Sequence, residues 1–104
     1  MADLLFDVMT PLAFSVRCTV PYWEFIVRDK HPALTGHESD VEQTLRDPDE
    51  IRRSTKDPQY LFYRGTVPRW LCAVARRLDG TGFLITAYPT DAIKAGERIW
   101  TRSG

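Results

Sequence analysis

The chain has 104 residues, 43% of them hydrophobic and 12% aromatic, with 14 basic and 14 acidic side chains. That is the size of one domain, residues 1–104, with enough apolar mass for a core without disulfide staples. No run of about 18 apolar residues occurs, which excludes a membrane-spanning helix, and the start "MADLLFDVMTPLAF" has no basic leader and reads poorly as a signal peptide. Cys18 and Cys72 lie far apart in apolar surroundings and are expected to be reduced core cysteines of a cytoplasmic protein.

The zero net charge hides an asymmetry. Residues 1–50 carry ten acids against four bases, a balance of −6, and residues 51–104 carry ten bases against four acids, a balance of +6. Eight of the latter ten bases are arginine, the better fork for a phosphate. Two readings follow: a basic functional face, or two halves that neutralise each other where they pack.

In chain order, "LLFDVMT" and "AFSVRCTV" predict a hairpin through the turn "TPLA". The second segment alternates, with Phe14, Val16, Cys18 and Val20 on one side and Ser15, Arg17 and Thr19 on the other. "VPYWEFIVRDKHP" predicts a helix. Thr19 can cap it, Pro21 suits its first turn, and Pro32 ends it at His31. "TGHESDVEQTLRDP" predicts a second helix with Thr35 and Glu38 in capping-box spacing and Val41 and Leu45 on its apolar stripe. Asp47, Asp49 and Glu50 then read as a solvated junction, and "DEIRRSTKDP" as a basic connector with one short helical turn.

The remainder predicts an antiparallel sheet. "QYLFYRG" is a strand, turned by "GTVP", with Tyr60, Phe62 and Tyr63 read as core residues. "RWLCAVARRL" is the long central strand. "DGTG" is a strong hairpin signal, and "FLITAY" returns. Alternation puts Phe83, Ile85 and Ala87 on one face and Leu84, Thr86 and Tyr88 on the other. "DAIKAGERIW" supplies a turn and an edge strand ending at Trp100.

Little of this carries chemistry by itself. His31 and His37 have no third ligand at metal spacing, so no metal and no cofactor is expected. There is neither a glycine-rich phosphate loop nor a nucleophile-elbow motif. What remains suits RNA cleavage by internal attack of a 2′-hydroxyl, which needs a base, an acid and positive donors around the phosphorane. Imidazole serves either proton role near neutral pH.

The pattern "KHP", "RDPDEIRRS", "YLFYR" and "FLITAYPTDAIKAGERIW", over roughly residues 22–100, resembles small domains related to RelE-type toxins, within the barnase–EndoU–colicin–RelE nuclease assemblage. The resemblance implies an α+β fold with one or two helices packed on a four-stranded antiparallel sheet. It also implies metal-independent ribonuclease activity on the open sheet face, RNA as substrate and an antitoxin protein as partner. Matched residue by residue, it implies catalytic roles for His31, Arg53 or Arg64, Thr86 and Tyr88. Alternation in "FLITAY" separately puts Thr86 and Tyr88 on one face, where they are expected to be partly solvent-reachable and to line a groove with at least one of Arg53 and Arg64. Lys30, Arg52, Arg69 and Arg76 are the expected RNA-binding residues. The rival reading is a non-catalytic module that binds RNA or protein on the same fold. Neutral overall charge departs from the strongly basic ribosome-dependent toxins.

Overall fold

The computed structural model describes residues 3–55, 57–66, 69–93 and 96–102. Val67 and Pro68 of the expected "GTVP" turn, and the bases Lys56 and Lys94, lie outside the described residues. Strands β1 (Leu4–Met9) and β2 (Ser15–Thr19) precede helix α1 (Val20–Phe25), which widens into a π-helical stretch, Ile26–Lys30. A 3-10 turn (Pro32–Leu34) leads to α2 (Glu38–Arg46). Then come β3 (Glu50–Arg53), β4 (Gln59–Thr66), β5 (Arg69–Leu78), β6 (Thr81–Thr90) and β7 (Glu97–Thr101).

The sheet corrects the expected architecture. It has seven strands in the order β1-β2-β6-β5-β4-β3-β7, not four. It is mixed, because β2 runs parallel to β6 while every other neighbouring pair is antiparallel. Two causes account for the difference. The N-terminal hairpin is part of the sheet, and its inward residues Phe6, Val8, Phe14, Val16 and Cys18 are all buried in the main core. Glu50–Arg53, expected to be connector, pairs with β4 on one side and β7 on the other. That arrangement satisfies its backbone and drives Ile51 to complete burial.

Local chemistry explains the ends of the elements. The Thr19 hydroxyl accepts from the Tyr22 amide at 3.3 Å, so α1 is capped as its sequence suggests. His31 N–H donates to the Ile26 carbonyl, five residues back, at 2.8 Å, and Pro32 allows no further turn. The expected Thr35–Glu38 capping box does not form. The Thr35 hydroxyl donates instead to the Pro32 carbonyl at 2.8 Å, and His37 occupies the cap position of α2 without capping it. Gly65 (φ 148°) closes β4 where a Cβ would meet the Arg69 carbonyl oxygen at 2.5 Å, so only glycine fits.

The sheet buries apolar side chains on both faces. The main core lies under the helices and joins Trp23, Ile26, Leu34, Val41 and Leu45 to Ile51, Phe62, Ala73, Ala75, Leu84 and Ala87. The Phe14 ring packs 5.4 Å from Tyr60 and 6.3 Å from Phe62, centroid to centroid. A smaller cluster on the opposite face consists of Leu61, Tyr63, Cys72 and Val74, with Trp70, Ile85, Tyr88 and Ile93 packed against it.

A bulge in β6 decides which residues reach which face. Val74 pairs with Thr86 but Ala75 pairs with Leu84, leaving Ile85 as the extra residue. Leu84 and Ala87 therefore both enter the main core, while Ile85 and Tyr88 belong to the second cluster. The strict alternation expected for "FLITAY" is corrected accordingly: Leu84 and Thr86 face opposite ways.

Candidate functional site

Beyond Phe83 the edge of β6 is free of β2, whose parallel pairing runs only from Ser15↔Thr81 to Arg17↔Phe83. The chain turns there into α1 and the π-helical stretch. The Tyr22 hydroxyl donates to the Ile85 carbonyl at 2.6 Å, and the half-buried His31 sets its ring 5.8 Å from that of Tyr88 at 37°. Thr86 lies on the same sheet face as Tyr88, opposite Val74. Its hydroxyl oxygen is buried and has no hydrogen-bond partner among the described residues. His31, Thr86 and Tyr88 thus share one region.

The surroundings of Tyr88 limit its chemistry. Burial raises its hydroxyl pKa well above the ordinary value, and its hydrogen bond with Cys72 adds to the rise. Burial likewise raises Tyr63 and pushes the Cys72 thiol up to about 11. The three groups lie together, and each keeps its proton at neutral pH.

The arginines expected beside Thr86 and Tyr88 are elsewhere. Arg53 pairs with Tyr60 on the face of the main core and sets its guanidinium 6.0 Å from the Tyr60 ring. Arg64 follows Tyr63 on β4 and so points to the opposite face from it. It donates to the Asp47 carbonyl at 2.6 Å and lies 3.3 Å from the Asp47 carboxylate. Arg52 is on the face of Thr86, in the row Arg52↔Leu61↔Val74↔Thr86. Three strand spacings separate the two, about 14 Å at about 4.8 Å each. Arg52 is also ion-paired with Glu50 and donates to the Gly96 carbonyl at 3.3 Å. Lys30 sits 5.5 Å from the Phe25 ring centroid. Arg76 is exposed on the face of Tyr88, near the other end of β5.

A groove of about 560 Å³ lies on the helix side, between α2 and the ends of β4, β5 and β6. His37, Asp40, Gln43, Arg64, Arg69 and Trp70 are among its lining residues. The Nδ1 of His37 is 2.8 Å from the Asp40 carboxylate. Beside the groove, the junction expected to be solvated is half-buried and cross-linked. Arg102 contacts Asp47 at 3.0 Å and Asp49 at 3.3 Å, and the Gly65 amide donates to Asp49 at 2.9 Å. Sequence reasoning missed this network because its acids and arginines lie far apart along the chain. It joins acids of the −6 half to bases of the +6 half, as Arg52–Glu50 also does. Arg53, Arg69, Arg76 and Arg98 have no acidic partner among the described residues.

Among the described residues no group of three or more His, Cys, Asp or Glu is placed to hold a metal, and no helix is long and apolar enough to cross a membrane. Both cysteines are free and buried. Set against protein-family models, curated proteins and solved structures, the chain matches none.

Proposed function

We propose that this domain is a metal-independent ribonuclease in which His31 is the proton-transfer group. One observation carries the reading: a half-buried imidazole rests against Tyr88, on the face where the Thr86 hydroxyl lacks a partner. A buried hydroxyl left unpaired costs about 1–3 kcal/mol, and an RNA oxygen met after a χ1 rotation of Thr86 would relieve it. His31 would take the proton of the ribose 2′-hydroxyl as its oxygen attacks the phosphorus; the P–O5′ bond breaks to leave a 2′,3′-cyclic phosphate, and water protonates the departing 5′-oxygen. Tyr88, which keeps its own proton, is a positioning residue that holds the imidazole by ring contact. Phosphate charge at the site would be met by Lys30, the neighbour of His31, and Arg52, about 14 Å from Thr86, would meet a phosphate further along the RNA once Glu50 releases it. Arg53 and Arg64, on the other side of the sheet, have no part in this reading. The domain would act in the cytoplasm, a compartment that suits two unpaired thiols, as the toxin of a toxin–antitoxin pair.

A second reading, RNA binding without cleavage, is favoured by one feature: among the described residues no second group poised to exchange a proton stands beside His31. A single assay separates the two. Cellular RNA is incubated in chelator with wild type, His31→Ala and His37→Ala, and circular dichroism confirms folding. The nuclease reading expects His31→Ala to lower cleavage by roughly 10²–10⁴-fold and His37→Ala to leave it unchanged. Wild type that retains RNA and never cuts it would decide for the binding module.

A further inference from the structure

The face that carries Tyr88 has a second, open part. Below the bulge, Phe83 of β6 pairs with Arg17 of β2 on one side and with Arg76 of β5 on the other. Asp7 of β1 continues the row beyond Arg17, and Gln59 of β4 continues it beyond Arg76. Side chains paired in this way stand on one face about 5 Å from their neighbours. The Phe83 side chain therefore stands between those of Arg17 and Arg76 in the middle of a five-strand row.

All three central side chains reach solvent. Phe83 is 37% exposed, and Arg17 is 55% exposed along its side chain. Arg17 touches Asp7 only at 4.0 Å, and Arg76 has no acidic partner among the described residues. The next row, Met9↔Ser15↔Thr81↔Leu78, adds two more apolar side chains, both more than half exposed. Packing does not account for Phe83, whose ring leaves the sheet on the side away from the main core.

An apolar patch alone would fit many partners. Cations on both sides of the ring select one that is flat and apolar at its centre and anionic on either side. A nucleotide base with its flanking phosphates has that form. Stacking needs an unpaired base face, which a duplex hides.

We infer that the Arg17–Phe83–Arg76 row is a binding track for single-stranded RNA, with one base stacked on Phe83 and the adjoining phosphates held by Arg17 and Arg76. This rests on the reading of RNA as substrate, and it adds the form of that RNA and where it is gripped. Phe83 and Tyr88 are on the same strand and the same face, and because of the bulge they span only the four-residue rise from Arg76 to Cys72, about 13 Å at about 3.3 Å per residue. A strand stacked on Phe83 can run along β6 towards His31.

The test uses a short fluorescein-labelled strand of 2′-O-methyl RNA, which cannot be cleaved by its own 2′-oxygen, so binding is read apart from cleavage. Wild type should bind it more tightly than the same sequence in a duplex. Phe83→Leu, which keeps an apolar side chain, should weaken binding roughly tenfold to a hundredfold, and Phe83→Trp should restore it. Arg17→Gln and Arg76→Gln should each reduce the slope of log affinity against log salt by about 0.7. No binding by wild type at low salt, equal binding of duplex, or undiminished binding by Phe83→Leu would each overturn the track. Self-association lost in Phe83→Leu, with no RNA bound, would assign the face to a protein partner. Tight binding of the modified strand with no cleavage of ordinary RNA would uphold the track and remove only the nuclease reading.

Discussion

Tyr88 keeps its proton because of the groups packed around it, and the same packing makes the protein sensitive to alkali. Burial pushes the thiols of Cys18 and Cys72 up to about 11, from an ordinary 9.0. Between those values the unfolded chain gives up protons that the folded one retains. Folded protein then binds more protons than unfolded, and stability must fall as pH rises. Below about 9 the thiols contribute no slope. By about 11 the loss is on the order of 2–3 kcal/mol per thiol. Tyr63 and Tyr88, also raised mainly by burial, add to the fall above their ordinary value of 10.0. Urea midpoints measured upward from neutral pH should hold steady and then decline from about 9. A flat profile into strong alkali would show that solvent reaches these groups. Their apolar surroundings were legible from sequence, since Cys72 lies in "LCAVA". The Thr86 orphan was not, because a missing partner depends on what lies across the fold.

Elements differ in how fully their sequences declare them. β5 occupies Arg69–Leu78 as its apolar run suggests, and the Asp79-Gly80 turn beside it carries Asp79 at φ 56°. The β6 bulge was hidden, because alternation assumes a continuous ladder and one extra residue moves everything after it to the other face. β3 was hidden for a different reason. Three of its four residues, Glu50, Arg52 and Arg53, are charged and look like loop, while only Ile51 enters the core. What fixes β3 at the end of α2 is Asp47, which meets Arg64 of β4 and Arg102 just past β7. These side chains are about two-fifths exposed, so solvent screening keeps each pair weak. Asp47→Asn should lower unfolding stability by roughly 0.5–1 kcal/mol, with a smaller effect in high salt. Combined with Arg102→Gln it should cost less than the two changes separately, because both break the same network. Strict additivity in urea unfolding would mean the contacts are independent.

At the scale of the whole molecule, the resemblance that suggested a nuclease spans roughly residues 22–100, yet that stretch lacks part of its own core. Phe6, Val8, Phe14, Val16 and Cys18 of the N-terminal hairpin are all buried there. Phe14 alone packs on Tyr60 and Phe62 of β4 and lies 4.9 Å from the Arg77 guanidinium of β5. Full burial of one such side chain is worth about 1.5–3 kcal/mol, so the five together contribute on the order of 10 kcal/mol. That equals the whole net stability of a typical domain, about 5–15 kcal/mol. Removing the hairpin also bares the edge of β6 from Thr81 to Phe83, where β2 now pairs in parallel. A chain beginning at Thr19 should therefore show no cooperative urea transition by circular dichroism and should aggregate, while the full chain unfolds in one step. Cooperative unfolding of the shortened chain near the midpoint of the full one would instead make the hairpin an addition to a self-sufficient fold. The track for single-stranded RNA would then be separable from the rest, since Arg17 is on the hairpin while Phe83 and Arg76 are not.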